Sequence, residues 1–158
     1  MRPLFLFVVV VTLFSTQRGK ADAADDAWAA LEKAEKFELH SLDPDFGHDV
    51  KDGIYGWKSL GQTTVKDAQL RKKLVAALGD AIDNARASKK KCFDPRHAIR
   101  VIAGQKTYDF LICFECDYVY VYSDKKRVAI WNTTDRPKEA LDKVLKDAKV
   151  PLPKSPDK

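Results

Sequence analysis

The chain has 158 residues, 45% hydrophobic and 32% charged, which suits one folded domain with a core rather than a disordered polymer. Its net charge is +5. The first 23 residues carry Arg2, Arg18, Lys20 and Asp22, and subtracting their +2 leaves +3 for a chain that starts at Ala24. So small an excess argues for no nucleic-acid partner, and none is expected.

Met1-Arg2-Pro3 is a short basic start, and Leu4 to Phe14 is an apolar run of eleven residues with one Thr. A bilayer span needs about 20 such residues, so the run fits the core of a signal peptide and no stable anchor. Ala21-Asp22-Ala23 supplies an A-x-A cleavage site, giving a signal peptide over residues 1–23. Arg18 and Lys20 are unusual charges so near a cut. No cysteine follows the run to carry a lipid, and no second run of membrane length occurs. The expectation is a periplasmic or secreted protein with one domain over 24–150.

Asp25 to Lys36 reads as a first helix, with Trp28, Leu31 and Glu35 at helical spacing. Phe37 to His40 alternates and opens a strand, Asp43 to Gly56 is a loop broken by Pro44 and glycines, and Trp57 to Val65 is a weak second strand. Thr64 reads as a helix cap, with Asp67 reaching back to it. Leu70, Leu74, Leu78 and Ile82 then recur every four residues, widened by Val75 and Ala81. Lys89, Lys90 and Lys91 follow the end of this helix, where cations suit the dipole; a solvated helix end explains them better than a nucleic-acid patch.

A strand-rich block follows. Ala98 to Ala103 and Lys106 onward form a hairpin about a type II′ turn at Gly104-Gln105, which sets Arg100 opposite Asp109. Phe110 to Phe114 is continuously apolar, so this strand is central. Tyr118 to Tyr122 alternates Tyr and Val. A turn at Asp124-Lys125 pairs Ser123 with Lys126, Val121 with Val128, Val119 with Ile130, and Tyr118 with Trp131. Asp135 and Pro137 open a last helix with Leu141, Val144, Leu145 and Ala148 on one side, and 151–158 is a loose tail with three prolines. The fold class is α+β: a mainly antiparallel sheet of four to six strands, with the two later helices packed on one face.

Chemistry concentrates in Cys92-Phe93-Asp94-Pro95-Arg96-His97 and Cys113-Phe114-Glu115-Cys116. These segments resemble the C-F-x-P-R-H and I-C-F-E-C segments of a group of uncharacterised exported bacterial proteins, with a further likeness at Phe37 to Pro44. The resemblance covers Phe37 to Pro151 and implies no activity.

On a straight strand Cys113 and Cys116 point to opposite faces. Thr107 to Ser123 as one strand spans roughly 55 Å at about 3.3 Å per residue, too long for this domain, so the backbone bends between the cysteines. Extending the hairpin backwards sets Arg96 opposite Cys113 and brings Cys92 and His97 to the same end of the sheet. Three readings stay open: a disulfide within the trio, favoured by export; a Cys₃His zinc site on Cys92, Cys113, Cys116 and His97; or unlinked core cysteines. Redox catalysis is disfavoured, because strand rather than helix follows Cys116, and Glu115 and Asp117 oppose a thiolate.

His40 and His48 among Asp43, Asp45 and Asp49 read as a solvated loop before a metal site. Tyr118, Tyr120, Tyr122 and Trp131 make an aromatic sheet face, covered by a helix or free to bind a peptide, sugar or base. Asn132-Thr133-Thr134 is a glycosylation sequon. No nucleophile motif, phosphate loop or carboxylate pair occurs. The leading function is a non-enzymatic exported domain that binds a partner or ligand; the alternative is an exported thiol or structural zinc protein. No cofactor other than such a zinc is expected.

Export should remove residues 1–23. The mass of the secreted chain is expected to correspond to a start at Ala24, and a secreted chain that still begins at Met1 contradicts the cleavage.

Overall fold

The structure, a computed structural model, describes residues 20–45 and 53–154, with side chains from Ala23 onward. The apolar run Leu4 to Phe14, Arg2, Arg18, His48, Asp49 and the end of the tail from Ser155 lie outside the described residues.

The elements run α1 (Lys20–Glu32), β1 (Lys36–Asp43), β2 (Lys58–Thr64), α2 (Ala68–Asp83), β3 (His97–Ala103), β4 (Lys106–Cys113), β5 (Tyr118–Ser123), β6 (Lys126–Asn132) and α3 (Lys138–Asp147). The strands form one sheet in the order β2-β1-β3-β4-β5-β6, and every pairing is antiparallel. The α+β class with an antiparallel sheet is therefore as the sequence implies. α1 begins earlier than expected, at Lys20, and ends at Glu32, so the expected cut after Ala23 falls inside it and Lys36 belongs to a strand.

The hairpin keeps the register its turn dictates: Ala103 faces Lys106, and Arg100 faces Asp109. Gly104 has φ +60°, as the first position of that turn requires. The next hairpin turns at Asp124 and Lys125, both with positive φ of 45° and 71°, and pairs Ser123 with Lys126. Beyond it the register departs from expectation. The pairing shifts by one residue between Val121 and Tyr122, so Val121 faces Ala129, Val119 faces Trp131 and Tyr118 faces Asn132. A bulge inserts one unpaired residue, and since side chains alternate, every later β6 residue changes face. Trp131 thus leaves the tyrosines, and Ile130 comes opposite Tyr120, where it is 49% exposed.

Two apolar clusters result. The larger joins Phe37, Leu39, Ile99, Val101, Phe110, Ile112, Val119 and Val121 of the strands to Ala27 and Leu31 of α1, Leu74 and Leu78 of α2, and Leu141 and Leu145 of α3. Trp131 packs against this cluster, 5.9 Å from the Trp28 ring in an edge contact and 5.9 Å from Phe110. A Cβ at Gly79 would lie 3.1 Å from the Trp28 ring, so glycine lets α1 approach α2 there. The smaller cluster holds Leu42, Ile54, Trp57, Ala98 and Leu111, with Phe93, Tyr55, Tyr120 and Tyr122 packed around it and no helical residue in it. β1 is buried along nearly its whole length because clusters press on both its sides.

Three local expectations are corrected. Thr64 ends β2 and caps nothing; the α2 cap is Asp67, whose carboxylate accepts the N–H groups of Gln69 and Leu70 at 2.7 and 3.1 Å. The lysines at 89–91 follow α2 as expected, but the helix already ends at Asp83, so they lie in the connection to β3, too far on to suit its dipole. The first part of the tail is not loose either. Val150 and Leu152 pack on the core, and the Arg96 guanidinium donates to the Lys154 carbonyl at 2.5 Å.

Leu78 is 1% exposed in the larger cluster. Leu78→Ala is expected to lower the unfolding free energy by about 2–5 kcal/mol, read from urea unfolding; an unchanged midpoint would put the stripe in water.

Candidate functional site

The sheet register builds the second face in rows. Glu38, Arg100, Asp109 and Tyr122 lie side by side across four strands, and His40, Ala98, Leu111 and Tyr120 form the next row. Cys113 and Tyr118 pair at the end of the sheet.

The first row carries the polar chemistry. Arg100 donates from Nε and Nη2 to the two Asp109 oxygens at 2.6 and 3.2 Å, a forked charge-assisted pair. The Tyr55 hydroxyl donates to Asp109 Oδ2 at 2.8 Å, and its ring stacks on Tyr122 with centroids 3.8 Å apart. Asp109 is 2% exposed, and these three donors stand where water would otherwise bind its oxygens. Burial, then the Asp109 charge, pushes the Tyr55 phenol well above its ordinary range; the bond to Asp109 raises the Arg100 guanidinium. Gly53, Tyr55, Gly56, Arg100, Thr107 and Asp109, with the Asp124-Lys125 turn, enclose an open recess of about 580 Å³.

In the second row Phe93 stacks on Tyr120 with centroids 3.5 Å apart and planes 4° from parallel, and the Arg127 guanidinium sits 4.7 Å above the Tyr120 ring. Tyr118 donates to the Ser88 carbonyl at 2.9 Å. The aromatic face is thus Tyr118, Tyr120 and Tyr122 without Trp131. It is covered in part by the chain's own Tyr55 and Phe93, not by a helix. Asn132 accepts from the Ser88 N–H at 2.9 Å and Thr133 is 2% exposed, which puts the sequon in a poor place for a glycan.

At the end of the sheet the chain bends as the strand-length argument requires. Cys92 and Cys116 form a disulfide with Cα atoms 5.7 Å apart, while Cys113 is a buried free thiol. The bridge closes a separation of 24 residues, for which constraining the unfolded chain is worth about 3.5 kcal/mol. Cys113 points into the fold, and its sulfur accepts the Cys116 N–H at 3.2 Å. Asp117, at φ 61°, completes the bend. Lys90 braces it, donating to the Glu115 carbonyl at 2.8 Å and pairing with Asp117 at 2.6 Å. Burial pushes the Cys113 thiol up to about 11, so it is no nucleophile at neutral pH.

His97 does not join the sulfurs. Alternation turns it to the helical side of the sheet, where its Nε2 meets Asp142 of α3 at 2.7 Å and its ring lies edge-on to Phe114. Lys138 donates to the other Asp142 oxygen at 2.8 Å. The bond to His97 holds the Asp142 carboxyl down to about 2. Ser41 is the cross-strand neighbour of His97, which gives a Ser, His and Asp in one place that sequence spacing did not reveal. At 0% and 1% exposure Ser41 and His97 reach no substrate, and Asp142 holds the histidine while Ser41 Oγ and His97 Nδ1 make no hydrogen bond. The arrangement latches α3 to the sheet. Arg96 is likewise buried, with Nε 3.1 Å from Glu115 at an angle that makes an ion pair but no hydrogen bond.

His40 is not in a loop. It is buried in β1, 3.9 Å from Glu38, and Asp43 is engaged with the Asp45 N–H. Among the described residues, the side chains close enough together to hold a cation are Cys92, Asp94 and Cys116. No helix among them is long and apolar enough to cross a membrane. No family model, curated protein or solved structure matches the chain.

Two buried or half-buried groups, His40 and Asp142, shape the acid side of the stability curve. Burial, then the Arg100 charge, holds His40 down to about 4 from its ordinary 6.5. The unfolded chain therefore binds this proton first, and stability falls as pH drops from about 6.5 towards 4. Asp142, depressed to about 2, adds a loss over the range below its ordinary 3.8. Urea unfolding across pH is expected to show both phases, with His40→Gln flattening the upper one and Asp142→Asn the lower.

Proposed function

We propose that the protein is an exported, non-enzymatic domain that binds a partner or ligand in the recess between Tyr55, Arg100, Asp109 and the Asp124-Lys125 turn. The observation that carries this reading is the convergence of a stacked tyrosine, a forked Arg–Asp pair and a turn cation on one open recess of about 580 Å³. Two grooves beside α1, about 370 and 480 Å³, lack such a paired-charge centre. The preformed Arg100–Asp109 pair positions Tyr55, so a ligand finds its polar partners already oriented and loses little entropy in ordering them. The signal-like start and the disulfide support export. A second reading, a thiol or metal protein, is favoured by the sulfurs gathered at the bend.

The test is amide chemical-shift mapping on the isotope-labelled mature protein against panels of peptides and short oligosaccharides. Shifts are expected to cluster at Gly53, Tyr55, Thr107, Asp124 and Lys125. Lys125→Gly suits the φ of 71° and removes the rim cation; it should weaken a hit roughly twofold to fivefold. Shifts gathered between α1 and α2, with Lys125→Gly neutral, would contradict the recess.

A further inference from the structure

We propose that the bend carrying Cys113 and Cys116 is a metal site held closed by its disulfide: on reduction, Cys92, Cys113, Cys116 and Asp94 bind a soft divalent cation of the Zn²⁺ class. The ligand set differs from the Cys₃His set that spacing suggests, because the fold turns His97 away and brings Asp94 in.

Three observations meet at this place. First, the Cys92 and Cys116 sulfurs and an Asp94 carboxylate oxygen lie within 4.8 Å of one another. In a tetrahedral site with metal–sulfur bonds near 2.3 Å, ligand atoms stand about 3.8 Å apart, so the three need only small movements once the S–S bond opens. Second, the Cys113 sulfur faces backbone donors. It accepts the Cys116 N–H at 3.2 Å, and the Asp94 N–H also points to it. Those backbone donors hold the sulfur at the bend beside Cys116, oriented to join a cation placed there. Third, Cys92 and Asp94 are exposed while Cys113 and Cys116 are buried, so the cation has a way in from solvent and a dry floor beneath it. Lys90 and Arg96 flank the anionic set through their ion pairs with Asp117 and Glu115.

The step balances with a dithiol as reductant. It passes two electrons and two protons to the Cys92–Cys116 bond and becomes a disulfide itself, leaving three thiols. The cation then takes their three sulfurs, and three protons leave to solvent. Oxidation reverses both events, so metal and disulfide exclude each other. The proposal is independent of the Tyr55 recess, with which it shares no residue.

The probe is Co²⁺. The full chain is reduced with dithiol, freed of it by gel filtration under nitrogen, and titrated. One Co²⁺ per chain is expected, with thiolate-to-metal absorption in the near ultraviolet and the strong visible bands of a tetrahedral ion; the oxidised protein should show neither. Cys113→Ser should lose most of the charge-transfer intensity. Asp94→Asn should weaken binding by roughly tenfold or more, and His97→Ala should leave the spectrum unchanged. Reduced wild type without these bands overturns the proposal, as does an Asp94→Asn variant that binds like wild type. Loss of the spectrum in a folded His97→Ala restores the Cys₃His set and overturns this one. Should Cys113→Ser not fold, Asp94→Asn, an exposed change, decides.

Discussion

The register between β3 and β4 is the constraint on which the rest of the molecule depends. Gly104 turns the chain in two residues, so Arg100 must meet Asp109, and every other side chain of the two strands is then assigned to a face. That assignment sends Ile99, Val101, Phe110 and Ile112 to the helices, and Ala98, Leu111 and Cys113 to the other side. It also parts His97 from Cys113, although the two reach the same end of the sheet. Histidine chemistry is therefore spent on holding α3, and sulfur chemistry on fixing the connection from α2 to the bend after β4.

The second face shows how polar residues survive in the middle of a sheet. Glu38, His40 and Asp109 are almost fully buried, a costly placement for isolated charges. The row Glu38, Arg100, Asp109 alternates in sign across three strands, and Lys36 reaches Glu38 at 2.7 Å. His40 stays neutral there because burial and Arg100 both oppose its proton. What the row leaves open is the recess beside Tyr55, where preformed charge and an aromatic ring meet solvent.

Much of this was legible in the sequence, for identifiable reasons. Glycine at position 104 admits few turns, so the hairpin and its Arg100–Asp109 pair followed by counting. The excess length of Thr107 to Ser123 required the bend at Phe114-Glu115, and the same counting brought Cys92 to it. The bulge in β6 was not legible: Lys126 to Trp131 carries no glycine or proline to mark an unpaired residue, and one residue of slip moved Trp131 from the tyrosines to Trp28. Both polar residues of β1 were misleading, since Glu38 and His40 make the strand look half-exposed when neighbours cover both its faces. The cap of α2 was ambiguous because Thr64 and Asp67 both suit it; β2 claims Thr64, which leaves Asp67. Asp94 carries no signal in the sequence, because a single carboxylate near a cysteine is common, and only the fold of the connection brings it to the sulfurs.

The central claim is that the bend after β4 carries Cys116 to Cys92 and leaves Cys113, at the end of the strand, as a buried free thiol. Peptide mapping of the purified oxidised protein by mass spectrometry, after alkylation in denaturant without reductant, tests it most directly. The account predicts a linked peptide joining Cys92 to Cys116 and an alkylated Cys113. A link between Cys113 and Cys116, or between Cys92 and Cys113, would contradict the register from which the site is built.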